Sequence, residues 1–242
     1  MKIVNVGSGC AYSGSIDWNA VYRKYYNLNS IESRLGNYLD SHCQISFSGF
    51  GEIANRLANR HYVHFIEFSK SMVESARKEF PGIHKISNAN IIDAFRYDET
   101  QVLFVVCRIS AYWRSYVEIQ RFLNGLKLVS KDLVVVDFFD DGKLEGSAAL
   151  GSLKFSEIYR IQREESSYAG AVDSVNILLA KVQGSYTIDD QTHWYTEDRA
   201  FYNPINLRNY FTVHLEGYDV AIESPIVDED PGFTLVLRRI SV

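Results

Sequence analysis

Residues 43–72 constrain the fold of this 242-residue chain more than any other segment. The segment begins with a short run of strand character, residues 43–47, passes through two glycines, and continues with a helical pattern of apolar residues. A second apolar run, residues 62–66, ends at Glu67 and leads into another helical pattern. The order strand, tight turn, helix, strand is typical of a βαβ unit, so we expect parallel strands here.

The rest of the chain continues the alternation of helix and strand patterns, with one interruption. Further strands are predicted at residues 83–86, 102–107, 133–136, 218–224 and 233–239, and further helices at residues 17–39, 113–128 and 204–211. Residues 154–195 instead show extended segments of alternating character, which predicts an inserted antiparallel region.

These patterns predict an α/β fold, a three-layer αβα sandwich. Its doubly wound, mostly parallel sheet would have an antiparallel last strand and an inserted antiparallel lid. We expect one domain over residues 1–242. Its parts would be an N-terminal arm and helix (1–40), a cofactor-binding core (41–140), the insertion (141–200) and a closing helix with strands (201–242).

Composition excludes several classes of protein. A net charge of −5 and a pI near 5.7 disfavour nucleic acid as a partner. The isolated cysteines Cys10, Cys43 and Cys107 form neither a disulfide framework nor a zinc motif. No stretch approaches the roughly 20 apolar residues that span a bilayer, and no leader is recognisable. We therefore expect a cytoplasmic protein without a membrane partner, and a homodimer is left open.

The spacing of the two glycines and the acid suits a nucleotide-type ligand. Small residues after the first strand allow the backbone to approach a ligand, and an acid at the end of the second strand can accept both ribose hydroxyls. Gly49, Gly51 and Glu67 satisfy this pattern. Sixteen residues separate Gly51 from Glu67, enough for a short helix, a turn and a strand. Loop and carboxylate should therefore lie at neighbouring strand ends.

With these residues the chain resembles the class I (Rossmann-like) S-adenosylmethionine-dependent methyltransferases. "ISFSGFGEIANRLA" is similar to their glycine-rich first motif and "YVHFIEFSKSMVESAR" to the strand, acid and helix that follow; the likeness covers about residues 22–139. The resemblance implies S-adenosylmethionine as cofactor, glycines beside its methionine part and the acid on its ribose. The implied cofactor-binding residues are Ser46, Ser48, Gly49, Gly51, Glu67, Phe68, Met72, Asn90, Ile91 and Arg108.

Two alternatives stay open at this point. Ile45 and Phe47 stand where family members usually carry an acid and a further glycine, which favours a catalytically silent methyltransferase-like binding or assembly protein. An NAD-dependent oxidoreductase shares the βαβ logic and the acid. Residues 2–9 also resemble a strand entering a glycine loop, but no helix, strand and acid follow at suitable spacing, so we assign them to an N-terminal arm.

Methyl transfer requires alignment and sometimes a base, so few residues are obligatory. In the insertion, His193 is the candidate base, within a group of acidic and aromatic residues that would form a lid. Tyr112 follows the predicted strand 102–107, where the family places substrate-facing groups, and is the second catalytic candidate. Asp137, Asp140 and Asp141 are interpreted as a solvated turn, and no metal is expected. The layout is similar to small-molecule and sugar N-methyltransferases, which implies a small polar metabolite or nucleotide-linked sugar as substrate.

Overall fold

A computed structural model of the protein describes residues 18–106, 115–143, 154–164, 175–227 and 232–240. The centre of the fold is a parallel sheet in the order β3-β2-β1-β4-β5. Its strands are β1 (Gln44–Ser48), β2 (Tyr62–Glu67), β3 (Lys85–Asn88), β4 (Val102–Val105) and β5 (Leu133–Asp140). This confirms the predicted α/β class with a mostly parallel sheet.

An inserted antiparallel meander follows the parallel strands. It consists of β6 (Lys154–Glu164), β7 (Val175–Ile188) and β8 (Gln191–Tyr202). β8 pairs in parallel with Phe139 and Asp140 of β5, whereas β4 reaches only as far as Val136 along β5. The meander therefore joins the sheet beyond the carboxyl end of β4.

The last two strands complete the sheet on its other side. They are β9 (Tyr218–Glu223) and β10 (Gly232–Arg239), and β10 runs antiparallel between β5 and β9. The predicted antiparallel last strand is thus confirmed. The helices are α1 (Trp18–Tyr25), α2 (Leu28–Gly36), α3 (Gly51–Leu57), α4 (Lys70–Glu79), α5 (Ile91–Ala94), α6 (Tyr116–Leu128) and α7 (Pro204–His214).

The helices cover both faces of the sheet, because alternate strand residues feed two separate apolar clusters. One cluster joins Leu103, Val105 and Val134 to residues of α5, α6 and α7. The other joins Ile45 and Phe47 to residues of α2, α3 and α4. Burying both faces of parallel strands in this way requires strands that are apolar on both sides.

The prediction of one helix over residues 17–39 was wrong. The helical pattern breaks after Tyr25, and α2 begins at Leu28 with Asn27 as its N-cap. The Asn27 side-chain oxygen accepts a hydrogen bond from the Ser30 N–H at 3.1 Å. This side-chain bond satisfies a donor that a continuous helix would have paired with its own backbone, so periodicity alone did not reveal the break.

Candidate functional site

The turn after β1 depends on a glycine. Gly49 has φ of +145°, and a Cβ built on it would lie 2.1 Å from the carbonyl oxygen of Val106. The Val106 N–H donates to the carbonyl oxygen of Ser48 at 2.9 Å. The chain therefore leaves β1 in close backbone contact with the end of β4, an approach that only glycine permits.

Gly51 is needed for a different reason from the one that the sequence suggested. It is the first residue of α3 and is buried, and a Cβ there would lie 2.8 Å from the ring of Phe80. Phe80 ends α4, so the absent side chain allows α3 to pack against a neighbouring helix end. Its part in approaching a ligand stays a prediction.

Of the other residues in the glycine-rich motif, one lies at the edge of the sheet and the rest lie in its interior. Ser48 is buried at the end of β1, beside the turn. The Ser46 hydroxyl lies inside the sheet, 3.0 Å from Asp98 Oδ2 and 2.7 Å from Thr100 Oγ1. Ile45 and Phe47 are fully buried in the apolar cluster on the opposite face. Ile45 and Phe47, at the positions where family members usually carry an acid and a glycine, are therefore ordinary core residues of β1.

Glu67 lies beside this turn, as predicted. β1 and β2 pair in parallel as far as Phe47 and Phe65, so the turn at Gly49 and the strand end at Glu67 lie at the same edge of the sheet, on neighbouring strands. Glu67 is only 5% exposed, and its Oε1 accepts the Ser69 N–H at 2.7 Å. Burial raises the pKa of Glu67 to about 7, although backbone N–H donation from Ser69 and Phe68 opposes the shift.

The turn after β3 is fastened to the end of β2. Asn88 Nδ2 donates to the carbonyl oxygens of Glu67 at 3.0 Å and Phe68 at 2.7 Å, and the Ala89 N–H donates to Glu67 O at 3.1 Å. Asn88 was not among the residues predicted from the sequence, although a carboxamide at a strand end is a signal for such a bond. Its effect is to hold the two turns together.

The predicted adenine-binding residues differ in their surroundings. Phe68 is 46% exposed at the edge, where a flat ligand can lie against its ring. Met72 is buried in the core, and Ile91 is buried beside α6. Asn90 N-caps α5 through its side-chain oxygen, 3.1 Å from Ile92 N. The edge therefore offers Phe68 directly, while Met72, Asn90 and Ile91 support the turns.

Aromatic side chains cover the turn after β1 from the N-terminal side. Phe50 is buried, and its ring meets Tyr22 at 4.7 Å and Tyr26 at 5.3 Å between centroids. Tyr22 lies within α1, and Tyr26 is the residue that follows the helix. This contact fixes α1 above the first turn of the sheet.

The far end of the meander reaches α1. The Thr187 N–H donates to Tyr25 Oη at 2.7 Å, and Tyr25 Oη donates back to Thr187 O at 3.1 Å. Lys24 Nζ donates to the same carbonyl at 2.6 Å. Asp189 and Asp190 form the exposed two-residue turn, both with positive φ, as hairpin turns of this length require. The meander therefore extends from the end of β5 to α1.

Replacing Tyr25 by phenylalanine should loosen this contact. Loss of two hydrogen bonds, each with a net value of about 1 kcal/mol, should reduce hydrogen-exchange protection of amides 185–192 by about 10- to 30-fold. Exchange followed by mass spectrometry measures the change. Tyr97→Phe is the control, because Tyr97 is 81% exposed and should leave protection unaltered. Equal protection in Tyr25→Phe and the parent would show that the hairpin does not depend on α1.

The remaining predicted residues are placed as follows. His193 lies in β8, where its backbone pairs with that of Tyr186 in β7, close to the hairpin turn; its role as base stays a prediction. Tyr112 and Arg108 lie outside the described residues, as does the glycine-containing segment 2–9.

The turn interpretation of Asp137 was wrong, because β5 continues through it and its Oδ1 accepts the buried Thr234 hydroxyl at 2.5 Å. Apolar neighbours on β5 keep this carboxylate inside the sheet.

A second concave feature lies away from Gly49 and Glu67. A cleft of about 670 Å³ lies between α2, the end of α3 and residues 39–41; it is at the amino ends of the strands, opposite Gly49 and Glu67. Among described residues, no group of three His, Cys, Asp or Glu side chains is arranged to hold a metal ion. Within the same ranges, none of the helices has the length and apolar character to cross a membrane.

Comparison with solved structures identifies the fold. A sugar N-methyltransferase, KedS8 from Streptoalloteichus sp., matches with a TM-score of 0.58 and 12% identity over 99% of this chain and 100% of its own. DesVI from Streptomyces venezuelae matches with a TM-score of 0.59 and 13% identity over 93% and 99%.

An S-adenosylmethionine-dependent methyltransferase from Clostridium acetobutylicum matches with a TM-score of 0.58 and 11% identity over 94% of each chain. No protein-family model matches the chain, and no curated protein matches it in sequence. The chain therefore has the fold of the class I S-adenosylmethionine-dependent methyltransferases, as the sequence resemblance predicted.

Proposed function

We propose that the protein transfers a methyl group from S-adenosylmethionine to a small polar metabolite or nucleotide-linked sugar. The observation that carries the proposal is the convergence of Glu67, Gly49 and exposed Phe68 at one edge of the sheet. In open α/β sheets, ligands bind in the crevice outside the carboxyl ends of the strands.

The described residues fit the adenosyl group. Glu67 is a buried carboxyl whose Oε1 is already oriented by the Ser69 N–H, so in its ionised form it can accept two ribose hydroxyls. Phe68 offers an apolar ring beside it. Asn88 fixes the turns that carry both residues. Such preorganisation lowers the cost of binding because the contacting groups do not need to be ordered.

S-adenosylmethionine, when bound, supplies the electrophilic methyl group. The chain's own part is to align the acceptor with that methyl, exclude water and remove a proton where the acceptor carries one. The meander that spans from β5 to α1 would exclude water. We assign His193 the role of base and Tyr112 and Arg108 roles in acceptor and cofactor contact, each to be tested by substitution.

The substrate class rests on layout. Two of the similar solved structures are a sugar N-methyltransferase and an amino pentose methyltransferase, and the second contains bound S-adenosylmethionine. The inserted meander, β6 to β8, occupies the part of the sequence in which the lid was predicted, residues 141–200. We therefore place an amino or hydroxyl group of a sugar-like metabolite first among acceptors. We also propose that one domain performs the reaction, in the cytoplasm.

Calorimetry with S-adenosylmethionine and S-adenosylhomocysteine tests the proposal. Both should bind one site with micromolar dissociation constants, corresponding to about −8 kcal/mol, whereas NADH should give no heat. No binding at millimolar ligand would overturn the proposed function. Binding without methylation of any amino-sugar or small-amine panel, followed by mass spectrometry, would instead favour the silent binding protein, for which the apolar Ile45 and Phe47 are the supporting observation.

A further inference from the structure

A chain of polar side chains on one face of the sheet joins the outer strand β3, through β2, to the loop before β4. His64 Nε2 is 2.8 Å from Ser87 Oγ, and His64 Nδ1 is hydrogen-bonded to Asp98 Oδ2. His64 is buried and Ser87 is partly exposed. The three residues thus form a hydroxyl, imidazole and carboxylate relay that opens to solvent at its serine end.

The carboxylate of this relay is held in a fixed orientation. Asp98 Oδ2 also accepts the Ser46 hydroxyl at 3.0 Å, and Oδ1 accepts the Thr100 N–H at 2.9 Å. Burial alone would raise the pKa of Asp98, but hydrogen bonds from His64, Thr100 and Ser46 hold it well below its usual range. Asp98 is therefore ionised at neutral pH.

A buried lysine closes the network from behind. Lys131 is 1% exposed, and its Nζ donates to Asp98 O at 3.0 Å and to Thr100 O at 2.6 Å. These bonds fix the backbone of residues 98–100. The carboxylate consequently cannot turn away from the imidazole without breaking buried hydrogen bonds, which is costly.

The ionised carboxylate determines the proton positions in the relay. A carboxylate only accepts hydrogen bonds, so His64 Nδ1 must carry the proton that lies between it and Asp98. In the neutral imidazole with this tautomer, Nε2 is the unprotonated nitrogen and accepts the Ser87 hydroxyl. A nucleophile bonded to a base that is itself oriented by a third group is the arrangement of serine acyl-transfer sites.

We propose that Ser87 is an activated nucleophile that accepts acyl or phosphonyl groups from small activated esters, at a site separate from the methyl-transfer edge. Attack by Ser87 Oγ forms an Oγ–acyl bond and breaks the bond from the acyl carbon to the leaving oxygen. His64 Nε2 takes the hydroxyl proton and passes it to that leaving oxygen. Lys85 is exposed on the same face of β3, two residues earlier, and gives this side of the strand a positive charge.

A fluorophosphonate probe tests the proposal on the full-length protein. Ser87 Oγ should form a bond to phosphorus with loss of fluoride, giving one adduct by intact mass that maps to Ser87. Ser87→Ala should abolish the adduct. His64→Gln and Asp98→Asn should each slow labelling by at least about 100-fold, the usual contribution of a positioned base. Ser71→Ala is the matched control, because Ser71 is also partly exposed but bonds to Ser69 rather than to an imidazole.

The outcomes separate this site from the methyl-transfer site. Ser87→Ala removes a hydroxyl from the relay and leaves Glu67, Gly49 and Phe68 unchanged, so its S-adenosylmethionine affinity should match that of the parent. Absence of an adduct at Ser87 would overturn the proposal, and so would equal labelling rates in folded His64→Gln and the parent. Circular dichroism verifies folding of each variant, and His64→Gln carries the test if Asp98→Asn does not fold.

Discussion

Gly49→Ala is expected to lower the free energy of unfolding by about 3–5 kcal/mol and to abolish S-adenosylmethionine binding. Two independent effects, backbone strain and a steric clash, contribute to this loss of stability. The backbone at φ of +145° strains any residue with a Cβ, and the added atom would lie 2.1 Å from the backbone oxygen of Val106. That oxygen belongs to the chain at the end of a central strand and has little freedom to move. Urea unfolding followed by circular dichroism measures the loss.

Two other glycines provide matched controls for this prediction. Gly36→Ala should change stability by less than about 1 kcal/mol, because no atom lies within 4 Å of the added Cβ at the exposed end of α2. Gly51→Ala should fall between them at about 1–3 kcal/mol, since the Phe80 ring can shift further than backbone. Equal stability of Gly49→Ala and Gly36→Ala would contradict the described turn.

The sequence predicted those parts of the fold that depend on local patterns. Hydrophobic periodicity and turn residues predict the order of strand, glycine turn, helix and strand that ends at Glu67. Right-handed parallel crossovers then place Gly49 and Glu67 on adjacent strand ends. The antiparallel strands of residues 154–195 were predicted for the same reason, because apolar and polar residues alternate along each strand.

Features that depend on distant partners were not visible in the sequence. The need for glycine at position 51 comes from the Phe80 ring, which leaves no room for a Cβ. Met72 is buried because its side chain packs into the apolar core. Local sequence spacing identifies neither of these contacts. His64 interrupts an apolar strand, which is a signal, but its partner Asp98 lies 34 residues away in an irregular loop. The contact of Tyr25 with Thr187 spans 162 residues. Such pairings follow from tertiary packing, which overrides local preference.

Glu67→Gln should weaken S-adenosylmethionine binding by about 100-fold, measured by calorimetry at pH 8. The neutral amide keeps an oxygen for the Ser69 N–H but no longer accepts hydrogen bonds from both ribose hydroxyls, and hydrogen bonds to a charged acceptor are worth about 1.5–3 kcal/mol each. The same variant should be more stable than the parent without ligand at this pH, by about 1–3 kcal/mol, because it avoids ionising a carboxyl that is only 5% exposed.

The pH dependence distinguishes ionisation of Glu67 from a general loss of structure. Folding raises the pKa of this carboxyl from 4.5 to about 7. Its contribution to stability is therefore greatest below pH 4.5 and is lost as the pH rises through about 7. Ligand binding to the ionised form has the opposite trend, so parent affinity should increase about tenfold from pH 6 to pH 8. Glu67→Gln should show neither trend. Glu74→Gln, an exposed change on α4, should follow the parent in both measurements, and a pH-independent parent affinity would exclude Glu67 as the ribose ligand.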